Sequence, residues 1–227
     1  MIGTITNCCT ILTGSFIGSR LKNGLPDKFK NTMMTCMGLA ATVLGINSVA
    51  NNMPNSTMPV LFIISLAIGG IIGQWIDIDS KFQKLTNRFG KEGLAQGLST
   101  AVLLFCIGTL SILGPIESAL NNNHTYLFTN ATLDLVTSMV LAATFGFGIA
   151  FSAIVLFCWQ GSIYLLAGVI APYMTPELMC EISIIGGILI FSSGLSILEI
   201  KKINTINLLP ALIVPPIVFV IKSLIGM

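Results

Sequence analysis

The sequence predicts an all-α fold, a polytopic bundle of about eight membrane helices, each needing about 20 mostly apolar residues. Three observations predict it. Of 227 residues, 54% are hydrophobic and only 9% charged, whereas a soluble domain carries about 25% charged residues. Charge-free stretches are long: residues 31–76, 93–116 and 135–176 hold no Asp, Glu, Lys or Arg. The basic residues are confined to 20–30, 81–91, 201–202 and 222. Such a composition excludes a soluble enzyme domain, a nucleic-acid binder and a disordered chain. Residues 1–227 read as a single transmembrane domain, with no room for a soluble one.

Ile2–Ser19 is uncharged and the first charge is Arg20. A signal peptide has its basic residues before the apolar stretch, so this segment reads as a retained first span. Residues 31–76 are broken by Asn51-Asn52-Met53-Pro54-Asn55-Ser56-Thr57, a polar turn cluster with proline; two helices in a hairpin follow. In 81–91, Phe82, Leu85 and Phe89 recur at i, i+3 and i+7 among basic residues. That fits either an amphipathic helix on the inner membrane surface or a solvated connector.

Gly93–Ile116 supplies the fourth span. Residues 121–130 are polar but carry Tyr126-Leu127-Phe128, which suits a re-entrant loop or a segment in the headgroups. Asp134 opens the fifth span, where a carboxylate favours a helix N-terminus. Leu135–Pro176 holds two spans with a turn near Trp159-Gln160-Gly161. Ile182–Leu198 and Ile203–Ile221 complete the eight. In the last, Pro210 and Pro215-Pro216 follow Asn207, so distortion and freed carbonyls are expected there.

Lys and Arg mark cytoplasmic loops. With eight spans, the loops after spans one, three and seven share a side and hold ten of the eleven basic residues. Both termini then lie outside, in a bacterial cytoplasmic membrane.

A glycine rhythm recurs: Cys36-Met37-Gly38 to Gly45, Cys106-Ile107-Gly108 to Gly114, and Gly187 to Gly194. Pro26-Asp27 precedes the first as Pro176-Glu177 precedes the third, and Thr13-Gly14-Ser15-Phe16 matches Gln160-Gly161-Ser162-Ile163. Spans 1–3 thus correspond to spans 6–8. The repeat-like halves are 1–76 and 159–227, linked by spans four and five at 94–158. A shift of five spans inverts one copy, as in many secondary transporters.

Polar groups within spans are expensive and need a partner or a use. The glycines read mainly as helix-packing positions. Thr4, Asn7, Gln160 and Asn207 are the candidate substrate-binding residues, and an interhelical hydrogen bond is the plainer reading of each. Glu117 and Asp134 lie on the outer side without a basic neighbour in sequence; together they are the candidate coupling or gating carboxylates. The six cysteines form no disulfide framework, with five in apolar runs and Cys180 placed in a loop. His124 is the only histidine, so no metal site is expected, nor any cofactor. No catalytic motif appears, and the chain is not expected to be an enzyme.

Several short motifs recur in one order: Gly3-Thr4 with Asn7, Gly14 and Gly18; Phe105-Cys106-Ile107-Gly108 and Gly114; Leu133-Asp134; Gly146-Phe147-Gly148; Gln160-Gly161; Gly186-Gly187; Gly194-Leu195; Asn207-Leu208-Leu209-Pro210-Ala211-Leu212. On these the chain resembles, over nearly its whole length, the YdfK/YqgA-type bacterial membrane proteins, a family of unknown function. The resemblance implies an integral membrane protein with a transport role and supplies no substrate. It also implies a lysine where Asn130 stands and a glycine where Leu135 stands. A charge pair between that lysine and the acid matching Asp134 is therefore missing here.

The function expected is transport of a small solute or ion by a permease, with the lipid bilayer as its surroundings and a homo-oligomer as one assembly. With no buried basic residue, a cation or neutral solute is easier to host than an anion. The competing expectation is a structural or assembly protein that packs against a membrane partner. Polar residues gathered round one cavity would favour the first; polar residues spread along an interface would favour the second.

Overall fold

In hydrocarbon the backbone has no water to bond to, so an apolar stretch without proline closes its hydrogen bonds as a helix. In the computed structural model, which describes residues 1–22, 27–87, 94–107 and 109–225, helices account for the architecture and no strand occurs among the described residues. Expectations resting on Pro26, Arg88, Phe89, Lys91, Glu92 and Gly108 lie outside them.

The α-helices are α1 (Ile2–Lys22), α2 (Asp27–Asn52), α3 (Leu61–Ile76), α4 (Ile78–Asn87), α5 (Leu94–Ile107), α6 (Thr109–Leu120), α7 (Thr125–Phe145), α8 (Ser152–Leu165), α9 (Ala167–Ile170), α10 (Pro176–Ile197) and α11 (Val214–Ile225). Single 3₁₀ segments intervene at Met53–Asn55, Phe147–Phe151, Ala171–Tyr173 and Thr205–Ile213. Four stretches are long and apolar enough to cross a membrane: Thr125–Phe145, Phe147–Leu165, Pro176–Ile197 and Thr205–Lys222. α5 and α6, inclined at 45°, make a fifth if taken as one broken span. α3 is apolar but only 16 residues long. α1 has 21 residues, and its asparagine, threonines and serines dilute its apolar character.

Several expectations hold. The turn between α2 and α3 contains Pro54 in its 3₁₀ segment. α4 forms where the amphipathic pattern lies. Thr205–Ile213, with Pro210 inside it, winds as 3₁₀ helix before α11 takes over at Val214.

Others are corrected. The chain does not turn at Trp159-Gln160-Gly161, which lie inside α8. It breaks at Gly146, whose φ of 99° costs a side chain roughly 1–2 kcal/mol. Thr125–Asn130 form the first turns of α7 and not a re-entrant loop. Asp134 therefore sits in mid-helix and caps nothing. Cys180 belongs to the first turns of α10, where its thiol donates to the carbonyl of Asn52 at 3.0 Å.

Lipid tails give helices no hydrophobic reason to associate, so close packing at small residues does the work. α1 and α7 run parallel: Gly3 lies against Leu127, Gly14 against Leu135 and Ser138, and Gly18 against Met139 and Ala143. α2 and α10 run antiparallel, backbone against backbone. Gly45 meets Gly187 there, and Gly194 meets Gly38. α3 runs antiparallel to Thr205–Ile213, with Gly69 on Ala211 and Gly73 on the carbonyl of Asn207. Ile11, Phe105, Leu141, Ile149 and Leu156 form the central apolar core. Apolar side chains such as Ile5, Leu12, Phe16, Leu39, Val43, Ile64, Ile68 and Trp75 point outward. Contiguous exposed apolar surface on this scale marks contact with lipid or protein.

Candidate functional site

Asp134 is the tenth residue of the 21-residue α7, 5% exposed. Its Oδ2 accepts a hydrogen bond from Asn130 Nδ2, one turn earlier, at 2.9 Å. Asn130 thus stands where the resemblance implies a lysine, and offers a neutral donor in place of a charge. Cys8 of α1 and Cys106 of α5 lie within electrostatic range of the carboxylate. No Lys, Arg or His is buried among the described residues.

α1 supplies the opposite wall. Thr4, Asn7, Ile11 and Ser15 are each fully buried, a spacing of three, four and four that makes one helical face. The Asn7 amide stands next to the Asp134 carboxylate. It takes a long contact of 3.4 Å at Oδ1 from the Thr10 hydroxyl, while its Nδ2 meets no hydrogen-bond partner. The Thr4 and Ser15 hydroxyls have none either. Native interiors leave few such groups unpaired, so three on one helix face, beside a carboxylate without a counter-charge, form a distinct constellation.

The remaining predicted residues lie elsewhere. Gln160 is buried in α8; its Nε2 donates to Ser111 Oγ at 3.0 Å and its Oε1 is unpartnered. The antiparallel register of α8 on α1, fixed by Cys8 against Ala153 and Met1 against Gly161, puts Gln160 level with the first turn of α1. Asn207 is fully engaged: Nδ2 donates to Gln74 Oε1 at 3.1 Å, and Oδ1 accepts from the Asp79 N–H at 2.7 Å. It ties α3 and the start of α4 to the last span.

Glu117 and Asp134 do not form a pair. Glu117 is half-buried at the end of α6 and accepts from Asn121 Nδ2 at 3.0 Å. Its carbonyl accepts from the N–H groups of Asn121 and Asn123, at the α6–α7 connection. Asp134 is nine residues into α7 from Thr125, roughly 14 Å of helix rise away from that connection.

Two polar features escaped sequence reasoning. Asn130 and Asp134 stand at i and i+4, a signal that was present, but it is hidden once Asp134 is taken as the start of a helix. Glu181, 1% exposed, accepts from Ser56 Oγ at 2.6 Å and the Met58 N–H at 3.1 Å. It pins the α2–α3 turn to α10, a contact between residues 125 apart in sequence that no local pattern announces.

Three pockets lie outside the Asp134 constellation. One of about 330 Å³ sits between α2, α5 and α10 and is lined by Asn47, Asn51, Asn52, Ser48 and Ser183, among others. A second, of about 270 Å³, is apolar and includes Ile112, Trp159 and Ile163. The third, of about 470 Å³, includes Thr57, Glu177 and Lys222. Thr4, Asn7, Asp134, Gln160 and Asn207 line none of the three.

Residues 2–220 match the family described as "Protein of unknown function (DUF554)". Over 224 residues the chain is 58% identical to "Uncharacterized membrane protein YdfK" of Bacillus subtilis (strain 168), covering 98% of each. It is 27% identical over 224 residues to "Uncharacterized protein YqgA" of Escherichia coli (strain K12), covering 94% of each. No solved structure matches.

Proposed function

The chain belongs to the DUF554 family, and from its likeness to a relative named as a membrane protein we propose that it is a multi-pass permease of the bacterial cytoplasmic membrane. It moves a small solute or ion and is not an enzyme. The observation that carries this reading is Asp134: a carboxylate buried halfway along a span-length helix, with no buried cation among the described residues to meet it. An intramembrane ionisable group of that kind is costly and is kept for a function.

The helix directions support eight spans with both termini on one side, and the basic loops at 20–30, 81–91 and 201–202 favour the outside as that side. Counting α1, α2, α3, α5–α6, α7, 147–165, α10 and 205–222, spans one and five must run the same way. Spans two and seven must oppose, as must three and eight. The parallel α1–α7 pair and the antiparallel α2–α10 and α3–205–213 pairs have those directions. The inverted repeat gains support from the α2–α10 crossing. If Gly38 corresponds to Gly187 and Gly45 to Gly194, the contact of Gly38 with Gly194 maps onto that of Gly187 with Gly45. Both contacts exist, and such reciprocity is what a two-fold axis produces.

A second reading has its own observation. Gln160, Asn207 and Glu117 each have separate partners, and the three pockets described above are lined by residues other than Asp134. A protein that packs against another membrane protein would show the same scatter. Reconstitution of the full chain into vesicles separates the two. Uptake of sodium, potassium, urea and glycerol is followed in turn, with Asp134→Asn as the control. Transport expects at least one probe to enter faster than into empty vesicles, and the variant to remove the excess. Entry at the empty-vesicle rate for every probe, with the native protein isolated in a fixed ratio with a second membrane protein, would favour assembly.

A further inference from the structure

We propose that the seam between α1 and α7 is a proton path and that Asp134 is its relay carboxylate. The proposal rests on reading Asp134 as a functional group, and it goes further by naming what the group binds.

An unpaired carboxylate inside a membrane protein is neutralised by a proton or by a bound cation. The neighbours decide between them. A hard metal cation takes six or more oxygen ligands. Asp134 has the Asn130 amide nitrogen and the Asn7 amide beside it, and the thiols of Cys8 and Cys106 within electrostatic range. Both helices spend their backbone carbonyls on their own hydrogen bonds. That shell is poor in oxygen, so a proton suits it and sodium or calcium does not.

The charged and titratable groups on the packed elements are few. α1 brings Cys8 to the site, has Cys9 exposed beside it and carries Arg20 and Lys22 at its far end, and α8, packed on α1, carries Cys158 and Tyr164. α5 brings Cys106. α6 carries Glu117 at the α6–α7 connection, and Phe147–Phe151 carries none. α2 has Lys28 at its exposed start. Nothing among these supplies a counter-charge to Asp134.

The route lies on α1. Thr4, Asn7 and Ser15 share the buried face and hold side-chain atoms without partners. From Thr4 to Ser15 is eleven residues, roughly 16 Å of helix. The parallel register puts Ser138 of α7 beside Gly14 at one end. At the other end Gln160, with its own unpartnered Oε1, stands level with Thr4. The unpartnered atoms offer hydrogen bonds to a water that enters as the helices part. In the transfer step a hydronium gives its proton to Asp134 Oδ1, forming one O–H bond and leaving neutral water. Asn130 keeps Oδ2 occupied throughout. Release reverses the step toward the next water along the seam.

Infrared spectroscopy of the full chain in lipid tests this without a transported solute. The protonated carboxyl stretch is followed as bulk pH is varied, in sodium and in choline buffers, and after transfer to heavy water. The expected result is a band absent from Asp134→Asn, equal in both buffers, and shifted on deuterium exchange. Thr4→Val or Ser15→Ala should slow that exchange about tenfold, the worth of one hydrogen-bonded link, and Thr4→Ser should restore it. A band that sodium abolishes at fixed pH overturns the proton in favour of a metal cation. No Asp134 band at any pH, or an exchange rate that neither variant slows, overturns the path. These failures leave the uptake experiment standing, and a failure of uptake leaves the band untouched.

Discussion

Asn7 and Asn207 have the same side chain and opposite circumstances. Asn207 satisfies two partners, the Gln74 carbonyl and the Asp79 N–H. Asn207→Leu removes both hydrogen bonds, one to the exposed Gln74 and one to the half-buried Asp79, and should cost about 1–3 kcal/mol, the worth of two ordinary hydrogen bonds. Asn7 leaves its own nitrogen unpaired, so Asn7→Leu should hold stability within about 0.5 kcal/mol or raise it. Thermal unfolding of both variants in detergent checks the contrast; equal losses would place Asn7 among the structural asparagines. A group that costs stability where it stands is a sign of use elsewhere. Hydropathy patterning identified Thr4, Asn7, Gln160 and Asn207 as polar groups inside apolar stretches, and placed Asp134 at the outer start of a span. It did not say which would meet, because a meeting depends on which helix faces which. Asp134 could be placed in the wrong part of its helix because 121–130 is polar enough to hide that α7 begins at Thr125.

The helix pairs turn on glycines that are not interchangeable. A Cβ on Gly73 would strike the Asn207 carbonyl, whereas one on Gly161 would meet only the end of Met1 at 3.8 Å. Gly73→Ala should therefore cost about 1–3 kcal/mol by overpacking. Gly161→Ala should be neutral or stabilise, since alanine is the better helix former by about 1 kcal/mol. Thermal melts of the two variants would show it, and a loss at Gly161 comparable to that at Gly73 would contradict the packing described. The same comparison explains one element misread. Gln160-Gly161 looks like a turn in sequence, but nothing there requires a positive φ. Gly146 does require one, and Gly146-Phe147-Gly148 was legible as a pair of breakers only against the longer apolar run around it.

At the scale of the molecule, the all-helical class and the last span's distortion followed directly from hydropathy and proline. The span count did not, because α1, α2 and α3 fall outside what length and apolarity alone require. The directions of the packed pairs lead to a topology that labelling can test. In a chain freed of its native cysteines, Asn55→Cys and Asn123→Cys should react with a membrane-impermeant maleimide from outside intact cells. Lys84→Cys and Lys201→Cys should react only after permeabilisation. Labelling of Lys84→Cys in intact cells would reverse or refute the orientation.

The order of those pairs also has a consequence in time. α1 closes on α7, α2 on α10, and α3 on the segment 205–213, so each early helix is completed by a late one. Gly45 waits for Gly187, 142 residues downstream, and at 5–20 residues per second that is about 7–30 s of translation. Throughout that interval the glycine faces of α2 and α3 lie uncovered, and the Ser56 turn has no Glu181 to hold it. Ribosome pausing or a premature stop before residue 181 would thus leave a hairpin without its lock, a natural substrate for the quality-control proteases of the membrane.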